Sequence, residues 1–205
     1  HFIYNVLESI KMMAEIDEEY DISDAVTSLG KLLRYSMKWV SGNVLVEQEL
    51  EYIKNYMALI NLRFDYEIYL SLNLPEIILQ QEIPKMSLQP IVENAIYHGM
   101  EFMDGDGEIR IRAWRKDKDL FMSVSDNGLG MTLEQVKRLF GDTDHVPSGR
   151  GSGIGVKNVN QRIRLYFGNG YGLEIQSEPD EGTTVTAHLP AISYEEVKKE
   201  GSNVK

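Results

Sequence analysis

Apolar residues recur at helical spacing over the first third of the chain and at alternating spacing over much of the rest. Phe2, Val6, Ile10 and Met13, with Ile3 and Leu7, predict a helix up to about Ile16. The acidic stretch from Asp17 to Asp21 reads as a turn, with Asp21 or Ser23 placed to cap the next helix. Val26, Leu29, Leu33, Met37 and Val40 form the apolar face of that helix, and Ser41-Gly42-Asn43 ends it. Leu50, Ile53, Met57 and Ile60 mark a third helix over 47–64. Two helices joined by a short turn make a hairpin that cannot bury both its faces alone. Dimerisation into a four-helix bundle solves this economically, and packing on its own domain is the alternative.

Beyond residue 65 the pattern changes. Residues 67–72 alternate and are bounded by Asn73 and Pro75, which predicts a strand. Residues 85–99 read as a helix. Residues 108–114 and 120–125 alternate on either side of a polar turn and predict a hairpin. Thr132 caps a helix to about Phe140, with Gln135 at the reciprocal capping position. A polar loop over 142–151 precedes a helix over 153–167, and residues 173–177 and 183–189 predict a last hairpin. The pattern is α+β: a helical hairpin and connecting helix over 1–64, an α/β sandwich over 65–191, and a charged tail over 192–205 expected to fray.

Composition sharpens this division. Of 17 glycines only Gly30 and Gly42 precede Gly99. Residues 1–98 carry 7 Lys/Arg against 15 Asp/Glu, net −8, out of a total of −11. That balance argues against nucleic acid or an anionic membrane surface as the main partner. With no cysteine, neither a disulfide nor a thiolate metal site is available. No apolar run approaches the roughly 18–20 residues that cross a bilayer. A chain opening on His1-Phe2-Ile3-Tyr4 reads as a piece of a longer protein.

Three segments carry candidate chemistry. Asn94 and His98 lie four apart on one helix and share a face. An amide oxygen suits Mg²⁺, which takes few protein ligands and keeps most of its waters; His98, one turn on, is placed to meet a phosphate. Asp126 ends a strand and can accept from the exocyclic amine of adenine, whereas guanine offers a carbonyl there. Gly128 and Gly130 let the backbone approach a flat ring. Gly151, Gly153 and Gly155 precede a helix and form an anion cradle, with Arg150 adding charge. A glycine run so late in the chain does not fit a dinucleotide fold, whose run follows the first strand. His1 and Asn5 share a helical face, and a neutral exposed imidazole is a phosphoryl acceptor.

Together these residues resemble a known family. Asn94, Asp126-x-Gly128-x-Gly130 and Gly151/Gly153/Gly155 are similar to the N box and glycine boxes of the GHKL (Bergerat) ATP-binding fold, Phe140 to its phenylalanine element, and Gly182-Thr183-Thr184-Val185 to its closing strand. The opening His1-Phe2-Ile3-Tyr4-Asn5-x-Leu7 resembles the phosphoacceptor motif of LytS/YesM-type sensor histidine kinases. Leu33-Arg34-Tyr35-Ser36, the run from Leu88 to Ala95, and Gly155-Val156-Lys157-Asn158-Val159-x-x-Arg162-Ile163 are also similar to that family. The resemblance covers residues 1–191. It implies Mg-ATP binding under a lid, with Asn94 on Mg²⁺ and Thr183 touching adenine through water. It implies transfer of the γ-phosphoryl to His1 and onward to an aspartate of a response regulator. It further implies a homodimer that is the cytosolic transmitter of a bacterial membrane-anchored receptor, with the membrane segments outside this chain.

Three positions depart from the family pattern. Pro90 stands where hydrolytic relatives carry a Glu four residues before the Asn, which disfavours a GHKL ATPase or serine-kinase relative. Phe2 follows His1 where many histidine kinases place an acidic base. Tyr97 stands where many N boxes carry Lys. Asn5 resembles the amide that orients water in phosphatase activity of related kinases. A nucleotide-binding dimerisation module without phosphotransfer is the non-enzyme alternative.

Overall fold

The computed structural model describes residues 1–37, 42–64, 66–100, 105–140 and 154–193. Helices α1 (Phe2–Ile16) and α2 (Tyr20–Met37) form the expected hairpin. The turn is tighter than the acidic stretch suggests: Glu18 takes a left-handed φ of 59°, and the Glu19 N–H donates to the Ala14 carbonyl. Neither candidate cap sits at the helix start. Asp21 lies in the first turn of α2, where its charge suits the positive end of the helix dipole. Ser23 is buried and its hydroxyl donates to Glu15 Oε1 at 3.1 Å, tying the two helices together.

Strand β1 (Asn43–Leu45) leads into α3 (Val46–Asn61), where the Gln48 side chain accepts the Leu45 N–H. Leu50, Ile53, Met57 and Ile60 of α3 are buried, as the apolar stripe predicts, and so is Val46 at its start. There follow β2 (Ile68–Asn73), the short α4 (Glu76–Leu79), β3 (Gln81–Pro84) and α5 (Gln89–Asn94). Alternation does not reveal β1 or β3, which have three and four residues. The helix expected from Lys85 begins only at Gln89, because Met86 sits at φ 61°. Beyond Asn94 it winds on as a π-helix, Ala95–Met100.

The main sheet has the order β2-β4-β5-β7-β6, where β4 is Gly107–Lys116, β5 Asp119–Asp126, β6 Gly172–Glu178 and β7 Gly182–Pro190. β2 runs parallel to β4, and the other neighbours are antiparallel. Period-two alternation sends Ile109, Ile111, Leu120, Met122, Val124, Val185, Ala187 and Leu189 to one face, all buried. They share a core with Ile53 and Met57 of α3, Ile91 and Val92 of α5, and Val156, Val159 and Ile163 of α7 (Ile154–Phe167). Helix α6 (Leu133–Phe140) starts as expected: the Thr132 N–H donates to Gln135 Oε1 at 2.7 Å, and the Gln135 N–H returns to Thr132 Oγ1 at 3.4 Å. A second small sheet, β1-β3-β8, includes Ile192–Ser193 as β8. The first two residues of the expected frayed tail are therefore paired with Gln81 and Glu82.

Candidate functional site

Several candidate site residues gather where β5, β7 and the end of the π-helical turn meet. Asp126 is the last residue of β5 and stands opposite Thr183 in β7. Its Oδ1 accepts the Gly128 N–H at 3.0 Å and the Thr183 N–H at 3.3 Å. Among the described residues no donor reaches Oδ2. Burial pushes the carboxyl up to about 6, against the pull of those two backbone donors. A partly desolvated carboxylate with one unoccupied oxygen can take one further donor.

Glycines set how closely the walls approach. A Cβ on Gly128 would lie 2.1 Å from the Gly99 carbonyl oxygen. The Leu129 N–H donates to that same oxygen at 3.0 Å, stapling the Asp126 loop to the helix that carries Asn94 and His98. Gly130 has φ 63°, and a Cβ there would meet the Glu178 carbonyl at 1.9 Å. Ser177, which the sequence did not single out, completes this wall. Its hydroxyl donates to the Gly182 carbonyl (2.9 Å) and accepts the Met131 N–H (2.8 Å). Its one proton being used, Thr183 Oγ1 donates to it at 2.8 Å and keeps its lone pairs for a ligand or water.

Asn94 closes α5, half-buried, and among the described residues its amide makes no hydrogen bond. That unused amide fits a cation bound mainly by water and phosphate oxygens. His98 is exposed on the π-helical turn. Such turns are frequent at functional sites. Gly155 lies in the first turn of α7, and a Cβ there would meet Pro90 Cβ at 3.1 Å. The last glycine of the cradle thus abuts the start of the Asn94 helix. Arg150, Gly151 and Gly153 lie outside the described residues, as does the side chain of Phe140.

His1 and Asn5 stand apart from this cluster. His1 is the exposed N-cap of α1, its carbonyl accepting the Asn5 N–H at 3.1 Å, and Asn5 is exposed one turn on. Their shared face is as expected. No described hydrogen bond or ion pair joins either side chain to the pocket.

Residues 84–193 match the histidine kinase-, DNA gyrase B-, and HSP90-like ATPase family, and residues 1–68 match the histidine kinase family. The chain belongs to this ATPase family. Among curated relatives, the sensor histidine kinase YesM of Bacillus subtilis is 36% identical over 93% of the chain. The sensor histidine kinase BtsS of Escherichia coli K12 is 32% identical over 93%. The chain spans about a third of each, 31% of their length. The histidine kinase domain of the Erythrobacter litoralis EL346 blue-light activated histidine kinase shares the fold, with a TM-score of 0.51 at 16% identity over 92% of both chains.

Proposed function

We propose that this chain is the transmitter part of a two-component sensor histidine kinase. It binds Mg-ATP between Asp126 and Asn94 and passes the γ-phosphoryl to His1. The observation that carries this reading is Asp126 Oδ2, left without a donor on a half-buried carboxylate whose loop packs too tightly against Gly99 to admit a Cβ on Gly128. The adenine amine fills that vacancy, and Thr183 Oγ1 accepts from a water on the ring. Asn94 holds Mg²⁺, which when bound neutralises the phosphate charge. Transfer breaks the bond between the γ-phosphorus and the bridging oxygen, releasing ADP, and forms a P–N bond at an imidazole nitrogen of His1. The protein's share is positioning and charge stabilisation. Phospho-His then donates to an aspartate of a response-regulator receiver domain. Asn5, one turn from His1, orients the water that reverses the signal.

His1 lies on the hairpin, away from Asp126, so transfer requires the hairpin and the sheet half to approach, within one chain or across a dimer. The exposed stripe Phe2, Val6, Ile10 and Met13 supports a homodimer through a four-helix bundle. Its parent is the membrane-anchored receptor of a bacterium, with this part in the cytoplasm.

The test is incubation with γ-labelled ATP and Mg²⁺. We expect label that is acid-labile and alkali-stable in the wild type and absent in His1→Gln. Label persisting in that variant removes His1 from the mechanism. Equal dephosphorylation of the regulator by Asn5→Ala removes Asn5.

A further inference from the structure

Glu49 of α3 is a carboxylate buried at the junction of the two halves, 1% exposed. It takes donors from three separate places. The Tyr35 hydroxyl of α2 reaches Oε1 at 2.5 Å, the Met86 N–H reaches the same oxygen at 2.5 Å, and the Leu88 N–H reaches Oε2 at 3.1 Å. Leu88 is the N-cap of α5, the helix that ends at Asn94. Met86 is held from its other side as well: its carbonyl accepts Arg162 Nη2 of α7 at 2.6 Å. Tyr35 is gripped in turn. Lys85 Nζ donates to its carbonyl at 2.7 Å and lies 4.8 Å from its ring centroid, while Tyr52 packs at 5.1 Å. Burial and the facing Glu49 charge both hold the Tyr35 phenol protonated, so it stays a donor.

Holding two halves together does not require such a node. Well-packed apolar residues serve at least as well, because a buried charge must be desolvated and fully paired. What the polar node fixes is geometry. Met86 sits at φ 61°, a strained conformation for a side-chain-bearing residue, which persists only where its surroundings over-determine it. Here Glu49 fixes its N–H and Arg162 its carbonyl. The hairpin, the Asn94 helix and the helix behind the glycine run are all referred to one carboxylate.

We propose that Glu49 is a positioning residue that couples docking of the α1–α2 hairpin to occupancy of the nucleotide pocket. The inference rests on the reading of that pocket as an ATP site. A hairpin that lets go of Glu49 through Tyr35 frees the carboxylate to shift. Met86 follows, and with it the starts of α5 and the seat of Arg162. By reciprocity, nucleotide that fixes α5 and α7 favours the docked hairpin.

The full chain is tested with Mg-ADP as the probe, by amide hydrogen exchange of residues 26–37 with and without saturating nucleotide. In the wild type ADP slows exchange there, by roughly tenfold for a coupling of ordinary size. In Tyr35→Phe, which loses one hydroxyl, ADP still binds but leaves α2 exchange unchanged. Glu49→Gln, if it folds, does the same and binds ADP more weakly. A bond with only a structural role would raise α2 exchange equally in both states. Equal ADP-dependent slowing in wild type and Tyr35→Phe overturns the proposal, as does a wild type that binds ADP without any change in α2. A wild type that binds no ADP refutes the pocket reading itself, and this inference with it.

Discussion

The hairpin is the more apolar of the two halves, yet it buries far less of what it carries than the sheet half does. The 15 residues of α1 and 18 of α2 bury only Ala14, Ser23 and Leu32. Phe2, Met13 and Ile16 are 80%, 64% and 77% exposed. In the sheet half, by contrast, β4 alone buries Gly107, Ile109, Ile111 and Ala113. One region closes its own core, and the other presents an apolar face of the kind that marks an interaction surface. The lesson is one of division of labour. The sheet half builds the candidate site on a core it closes with α3, while the hairpin, tied to that core through Tyr35, leaves its apolar face for another surface to cover.

The contrast predicts that a single methyl in the rigid half does more harm than a charge on the open one. Gly128→Ala forces a Cβ to within 2.1 Å of the Gly99 carbonyl, so the staple must open. We expect a loss of roughly 4 kcal/mol and of ADP binding, read by thermal melting and nucleotide titration. A variant with wild-type melting and affinity would contradict the close fit described for this wall.

Asp126 comes next. Its folded pKa near 6 stands above the ordinary 3.8, so its ionised form is disfavoured in the fold. The cost is fully present above about pH 6, where it amounts to about 3 kcal/mol. It is relieved as the pH falls from about 6 to 4, so this group makes the ligand-free chain gain stability over that window. Nucleotide affinity runs the other way, because the amine needs the carboxylate. It should fall below pH 6 by at most about tenfold per unit. Calorimetric titrations of wild type and Asp126→Asn at several pH values check both signs, and the variant should bind weakly with no such slope.

Thr132→Ala removes the capping exchange with Gln135 and should cost about 1 kcal/mol by melting. The smallest effect on folding belongs to the hairpin. Ile10→Glu, at a site 41% exposed, should shift folding stability by no more than about 0.5 kcal/mol. Light scattering should nonetheless show the mass drop from two chains to one. An Ile10→Glu chain that melts far earlier without changing mass would mean that the hairpin's stripe serves its own domain after all.

The regions also differed in how legible they were. The long strands β4, β5 and β7 announced themselves by alternation, and α1 and α3 by their stripes, because each has one apolar face and enough residues to repeat a period. The small sheet escaped notice, since strands of two to four residues cannot repeat one. The helix around Asn94 was found but mis-framed at both ends. Nothing in Lys85-Met86-Ser87 announces a left-handed Met, whose conformation is imposed by Glu49 and Arg162 from distant parts of the chain. Nor does Ala95-Ile96-Tyr97 announce π winding. Of the candidate site, Asp126 and Gly128 were proposed from local chemistry, and Thr183 only through the family resemblance. Ser177 was missed, since it acts only through partners on other turns. Glu49 hid in plain view as one more acidic residue on a charged helix, and only the fold reveals that it faces inward.

Strand β3 has the chain leaving the hairpin on one side, as β1, and the chain leaving the main sheet on the other, as β8. That makes Ile192–Ser193 a seam. A chain trimmed at the end of β7 would keep every pocket residue yet bare the flank of β3 at Gln81 and Glu82. Unpaired strand edges recruit strands from other molecules. This two-residue pairing therefore matters less for holding nucleotide than for keeping neighbours from joining in.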